Sequence, residues 1–473
     1  MTVFKELRAV FGTDIIVHEE ASANNRGAIA KYSHDQVGDE RYWQEPAAIV
    51  FPTSTEQVSK LMQWANTTGT PVTPRGAGSG LAGAAIPVAG GVVCSFEKMD
   101  RILEIDADNL MVVVEPGVVT NRLDEALKGH GLFFAGYPMS EDICFVGGNV
   151  AENAGGGRAV KYGTTSAYVQ GAEVVTPTGQ VLNLGGKRLK DVTGYNLLQL
   201  FVGSEGTLGM FTKLIIRVVP RPTARGVFFG AYPTPKAATD CIVDLKRRLA
   251  DGPSAIEFID GDTARQTNER LPKAERTELP ANAGAFLLVE FDAADTATVE
   301  LLLAGAKDLV QAHGGSVEAS GTDETAIDRA WRLRKQVPWW VKRAAGAAHS
   351  LEDVVVPPSA IPELVGVVEG LRTKYAVPIA LFGHAGDGNF HVTPMKTEAM
   401  NLEDWDQTAP DLLHELYQEV VQLGGTISGE HGIGRKRTKH LPVALSDAER
   451  QTMRSIKTAL DPNNVLNPGV IFS

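Results

Sequence analysis

The chain has 473 residues, which at roughly 100–200 residues per domain is enough for several domains and a substantial core. Its 45 Lys+Arg against 57 Asp+Glu give a net charge of −12, which argues against a nucleic-acid or anionic-membrane partner held by bulk electrostatics. A 43% hydrophobic share with 22% charged residues excludes a wholly disordered chain. Cys94, Cys144 and Cys241 are widely spaced and form no CxxC, so a disulfide scaffold, a zinc ribbon and an iron–sulfur cluster held by this chain alone are excluded. No run approaches the ~18 apolar residues of a membrane span, and residues 1–18 lack a signal-peptide core, so a cytoplasmic protein without a membrane span is expected.

In chain order, residues 48–51 form a short apolar strand, and both Thr53 with Glu56 and Ser54 with Gln57 fit a capping box. Val58, Leu61, Met62 and Ala65 then mark one helix face, and residues 71–73 a second strand. From 91 to 219 the signals are mostly strands with Gly/Pro punctuation, interrupted by one helix over 120–129. Pro220-Arg221-Pro222 is the best linker candidate. Beyond it, strands are expected at 255–259, 285–291, 353–356 and 379–382. Helices are expected at 297–313, at 325–337 (where Pro338 should interrupt) and at 411–423. A last helix opens with Ser446 and Glu449 as a capping box. The second half therefore reads as an α+β domain.

The 49 glycines are concentrated in blocks. Gly78 to Gly83 is formally GxGxxG, but Pro87 and Gly90-Gly91 leave no room for the helix that a dinucleotide fingerprint requires. Gly76, Gly78 and Gly80 can instead converge backbone N–H groups on an anion, with charge added by Arg75. A second block at 146–157 allows close backbone approach by a large planar ligand; tight turns explain any one block alone, but a third block at 203–209 in the same domain reverses that preference. Towards the C-terminus, His384 and His391 flank the turn Gly386-Asp387-Gly388, which can bring both imidazoles to one side. With Glu430 they make a two-His, one-carboxylate set suited to zinc or another divalent metal; the plainer alternative is that glycine-flanked histidines cap turns.

Residues 74–81, 141–143 with 147–149, 153–156 and 203–209 together resemble the FAD-binding domain of the vanillyl-alcohol-oxidase/p-cresol-methylhydroxylase (PCMH) flavoprotein family. The C-terminal motifs are similar to its branch of glycolate oxidase D-subunits, D-lactate dehydrogenases and D-2-hydroxyglutarate dehydrogenases. The resemblance implies an α+β protein with a two-subdomain PCMH-type FAD-binding domain and a mixed α+β substrate (cap) domain built on an antiparallel sheet. The expected division is an N-terminal segment at 1–46 packing on the FAD domain, the FAD domain at 47–220, the substrate domain at 221–425, and a C-terminal segment at 426–473 returning to the FAD domain.

The resemblance also implies FAD contacts at Pro74, Arg75, Gly76, Ala77, Gly78, Ser79, Gly80, Pro138, Asp142, Gly147, Gly148, Asn149, Asn153, Gly156, Glu205, Gly206, Gly209 and Asn467. Ser79 stands where tethering relatives carry histidine, so non-covalent FAD is expected. The branch places metal ligands at His384, His391 and Glu430, its general base at His431 and its carboxylate-binding arginine at Arg334. Adjacent side chains diverge along an extended chain, so Glu430 should face the metal and His431 the substrate. The dicarboxylate-specific members of the branch also use a lysine further on, and the corresponding residues 349–353 contain none, which puts a second substrate carboxylate in doubt.

The reaction implied is oxidation of a D-2-hydroxyacid, D-lactate or a relative, with hydride transfer to flavin N5. A glycolate oxidase-type catalytic subunit and a D-2-hydroxyglutarate dehydrogenase are the alternatives. From other classes, a metal-dependent hydrolase or a nucleotide-binding module would each leave one group of motifs unused. Electrons must leave through an external acceptor: a quinone, a cytochrome, an electron-transfer flavoprotein or a partner subunit. A homodimer is left open.

Overall fold

The computed structural model describes residues 4–18, 27, 29–249, 252–345 and 348–472. The chain divides into two compact units: Met1–Gly155, Thr164–Arg221 and Glu430–Ser473 form the first, and Gly156–Gly163 with Pro222–Gly429 the second.

In the first unit, β1 (Ile15–Val17), β2 (Ala48–Val50), β3 (Val72–Arg75) and β4 (Val92–Ser95) form a sheet in the order β1-β2-β4-β3. Strands β2 and β3 both run parallel to β4. Parallel strands need a crossover, and the helix Thr55–Thr68 supplies it between β2 and β3. Its face of Val58, Leu61, Met62 and Ala65 is fully buried, as the spacing predicts. The two competing start signals merge: Ser54 is the N-cap and accepts from the Gln57 amide, while the Gln57 side chain accepts from the Thr53 amide. Gly69 closes the helix in the left-handed region.

Further along lie β5 (Ile102–Asp106), β6 (Met111–Val114), β7 (Leu132–Phe133), β8 (Val169–Val175), β9 (Val181–Gly185), β10 (Met210–Arg217) and β11 (Val219–Pro220). Five of them make an antiparallel sheet, β5-β6-β10-β8-β9, and β7 pairs with β11. The stretch from 91 to 219 holds more helix than the single one expected, with short helices at Ala159–Tyr162 and Leu197–Phe201 as well as in the second glycine block. The second glycine block opens as a helix, Val146–Glu152. Glycine costs about 1 kcal/mol per residue in a helix, but a Cβ on Gly147 would stand 2.4 Å from Pro116 Cβ, so the close approach requires it.

The second unit is built on β12 (Ala224–Tyr232), β13 (Ala255–Asp260), β14 (Ala285–Ala293), β15 (Ser316–Gly321), β16 (Glu352–Val355), β17 (Ile379–Gly383) and β18 (Asn389–Pro394). They form one antiparallel sheet, β15-β12-β14-β13-β17-β18-β16. Every residue of β13, β17 and β18 is buried. The helix Glu324–Ala345 runs through Pro338 instead of breaking there, which corrects the expected stop. An interior proline costs about 3 kcal/mol or more. Val337, Trp340 and Val341 are buried in the core beside it, and at about 1.5–3 kcal/mol per buried large apolar side chain they offset that cost.

Residues Gly156–Gly163 leave the second glycine block and pack with this second unit. Lys161 Nζ meets Asp292 Oδ1 at 2.5 Å, Tyr162 Oη donates to Asp292 Oδ2 and Arg158 pairs with Glu290. Glu290 and Asp292 are themselves buried, so these cations neutralise interior charge. No helix among the described residues is long and apolar enough to cross a membrane.

Candidate functional site

The glycine blocks, the second of them as far as Gly155, converge within the first unit. The loop after β3 begins at Gly76, whose Cβ position lies 3.7 Å from Gly148 Cα. Gly206, at φ +64°, lies against Pro74, and a side chain there would stand 2.6 Å from the ring. Asn467 donates through Nδ2 to the carbonyls of Ala84 and Glu205, at 3.0 and 2.9 Å. Pro74, Glu205, Gly206 and Asn467 thus share one place. The fit to a flavin nucleotide rests on two features. Gly148 offers open space where a side chain would stand. Asn467 Oδ1 and Ser204 Oγ are buried acceptors with no hydrogen-bond partner among the described residues.

Not every residue of the cofactor set faces the cradle. Arg75 turns back under the loop and donates to the carbonyls of His34, Ala85 and Lys31, so its side chain braces the turn instead of reaching outward. Gly78, at φ +71°, leaves room for that guanidinium: a Cβ would sit 2.0 Å from Nη2. Asn149 donates to Thr120 Oγ1, Asn153 Oδ1 accepts from Thr164 and Ser166, and Asp142 is exposed and holds Asn121. Gly209 packs against Val174 and Phe201, a structural contact. Gly156 lies in the second unit. Ala77, Ser79 and Pro138 are half-buried, Gly80 is exposed, and Gly147 meets Pro116.

The loop carrying Glu430 and His431 also belongs to the first unit. Glu205 accepts from the amides of Ile433 and Gly434 at 2.8 and 2.6 Å, and Arg437 donates to the Gly432 carbonyl. Burial pushes the Glu205 carboxyl up, against the two amides and Arg437. Burial, with the nearby charges of Glu205 and Asp35, pushes Glu152 well above the ordinary carboxylate range. Glu430 and His431 do not diverge as an extended chain would require: His431 Nε2 lies 3.7 Å from Glu430 Oε1. Residues 429–431 form a bend, so the two-residue alternation of a strand does not apply.

In the second unit, β17 and β18 form a hairpin in which Phe382 faces His391. The turn returns the chain so that the His384 and His391 rings lie 5.3 Å apart at 83°. This is the convergence expected from the glycine turn. Each ring has a buried carboxylate behind it. His384 Nδ1 bonds Glu257 Oε1 at 2.7 Å, and His391 Nδ1 lies 4.0 Å from Asp353 Oδ1. Asp353 also accepts from Asn389 Nδ2, Ser428 Oγ and the Gly429 amide, and so fixes the residue before Glu430. Arg334 is buried against the Phe382 ring and donates through Nε to Glu257 Oε2 at 2.6 Å. Burial opposes ionisation of Glu257, but His384 and Arg334 outweigh it and hold its carboxyl below the ordinary value. Paired imidazoles with carboxylates behind them are a donor set that suits a divalent metal.

Sequence reasoning singled out His384, His391 and Arg334 but missed Glu257, Asp353 and Asn389. The available signal was an acid inside an apolar strand: Glu257 interrupts Ala255-Ile256 and Phe258-Ile259.

Residues 46–185 match the family described as FAD binding domain, and residues 221–471 the family described as FAD linked oxidases, C-terminal domain. Glycolate oxidase subunit GlcD of Bacillus subtilis is 35% identical over 456 residues, covering 96% of this chain and 94% of that protein. D-lactate dehydrogenase of Archaeoglobus fulgidus is 36% identical over 427 residues, covering 90% and 91%. Among solved structures, p-cresol methylhydroxylase with substrate bound superposes with a TM-score of 0.78 at 19% identity, over 99% of this chain and 95% of that one. That likeness gives the fold, and the sequence matches give the family: the chain belongs to the FAD-linked oxidoreductases with a PCMH-type FAD-binding domain.

Proposed function

We propose that the chain oxidises a D-2-hydroxyacid, D-lactate or a close relative, to the 2-oxoacid and passes the electrons to an external acceptor. The observation that carries this reading is the pair of facing imidazoles at His384 and His391 beside the buried Arg334, in a chain of a flavin-dependent family. Arg334 would bind the substrate carboxylate through the nitrogens it does not give to Glu257. His431 would take the α-hydroxyl proton as general base. His384, His391 and Glu430 would hold one divalent metal, zinc before manganese or iron, and such an ion supplies Lewis acidity at a hydroxyl. FAD, held without a covalent tether because Ser79 offers none, supplies the two-electron acceptor.

A metal-dependent hydrolase leaves the glycine cradle and the family match unexplained. The absence of lysine from residues 349–353 favours a monocarboxylate over D-2-hydroxyglutarate. The test is anaerobic mixing of the FAD-loaded protein with matched D- and L-hydroxyacids while flavin absorbance is followed. Bleaching by D-lactate and not by L-lactate is expected. If no D-acid bleaches the flavin, the reading is wrong.

A further inference from the structure

Glu257 stands in the middle of β13 and is fully buried. A carboxylate in such a place needs hydrogen-bonded partners. It has one on each oxygen: Oε1 meets His384 Nδ1 at 2.7 Å and Oε2 meets Arg334 Nε at 2.6 Å. The two partners come from different elements, His384 just after β17 and Arg334 from the helix Glu324–Ala345. Space around the carboxylate is closed on a further side, since a Cβ on Gly157 would lie 2.6 Å from Oε1 and 3.5 Å from His384 Nδ1.

We infer that Glu257 is a positioning residue that holds His384 as the Nδ1–H tautomer, with a bare Nε2, and orients Arg334 at the same time. The inference rests on the roles given above to His384 and Arg334. A guanidinium only donates, so Oε2 must accept from it. If Oε1 likewise accepts, His384 carries its proton on Nδ1 and its lone pair on Nε2, which is the form a metal ligand requires. One side chain thereby sets the chemistry of two others. Arg334 in turn neutralises the carboxylate, which lets it sit in the interior.

The substitution that tests this is Glu257→Gln. Glutamine has one oxygen and one NH₂, and Arg334 cannot accept a hydrogen bond. The amide oxygen must therefore face Arg334, which leaves the NH₂ facing His384 Nδ1. His384 can meet that donor only as the Nε2–H tautomer, with its lone pair turned away from a metal. The experiment is ¹⁵N-histidine NMR on the FAD-loaded, metal-free protein, with zinc titration calorimetry alongside. In the native protein His384 should appear as Nδ1–H. In E257Q it should appear as Nε2–H, with His391 unchanged, flavin retained and zinc bound about 10–100-fold more weakly.

A folded E257Q with the native tautomer and native zinc affinity overturns the inference. So does native His384 in the Nε2–H form, a measurement that stands even if the variant does not fold. The tautomer is read without metal and without turnover. A protein that shows the expected tautomers yet is not reduced by any D-hydroxyacid would sink the functional reading and leave the role of Glu257 in fixing His384 intact.

Discussion

Glu205 and Gly434 lie 229 positions apart, and the carboxylate of the first accepts the amide of the second at 2.6 Å. With the Ile433 amide on its other oxygen, Glu205 fixes the loop that follows His431. Glu205→Ala should leave both amides without an acceptor, at about 1–3 kcal/mol each where they are buried. Thermal unfolding of the FAD-loaded variant should show a loss of about 2–5 kcal/mol. A loss under about 1 kcal/mol would mean that water replaces the carboxylate.

Glu152 makes a pH-dependent contribution. Its carboxyl is raised by burial first and by Glu205 and Asp35 after that, so the folded state holds this proton more tightly than the unfolded chain does. Stability from that group is full below the unfolded value and declines as pH rises through the raised folded value. Glu152→Gln removes the titration. Its melting temperature relative to the native protein should therefore rise as pH is raised above the ordinary carboxylate range. Parallel curves for the two proteins would show that Glu152 titrates normally.

Two glycines with the same backbone hand separate strain from contact. Gly90 has φ +77° and open space around it, so Gly90→Ala should cost about 1 kcal/mol for the backbone alone. Gly78 has φ +71°, but a methyl group there would collide with Arg75, which three carbonyls hold in place. Gly78→Ala should lose about 1–3 kcal/mol more than Gly90→Ala and retain less flavin per chain. Equal melting temperatures and equal flavin content would show that Arg75 can move.

Removal of metal by a chelator should leave the flavin bound, because no cradle glycine is among the proposed ligands, and should abolish reduction by D-hydroxyacids. Elemental analysis before treatment should find about one divalent ion per chain, and zinc should restore reduction. Full activity in a verified metal-free sample would refute the ligand assignment.

The proposed route for electrons predicts that an artificial dye supports turnover while air alone does so poorly. Comparable steady-state rates with oxygen as sole acceptor would replace a dehydrogenase with an oxidase and leave the hydroxyacid chemistry untouched.

The sequence alone was enough for the features whose cause is local. The helix at Val58, Leu61, Met62 and Ala65 follows from its periodicity, and the convergence of His384 with His391 from the glycine turn between them. The motifs in the glycine blocks were enough for the resemblance to the flavin family, because those motifs are local in the chain. Tertiary structure decided what depends on distant partners. Pro338 stays inside a helix because neighbouring side chains are buried in the core, and Gly147 is helical because Pro116 leaves no space for a side chain. Arg75 braces a turn because carbonyls from residues 31, 34 and 85 surround it. Glu257 and Asp353 gain their roles from histidines 127 and 38 positions away, and a buried carboxylate reveals its purpose only when its hydrogen-bond donors are in place. Periodicity and composition act within a few residues, whereas the pairing of buried charge is settled when the strands assemble.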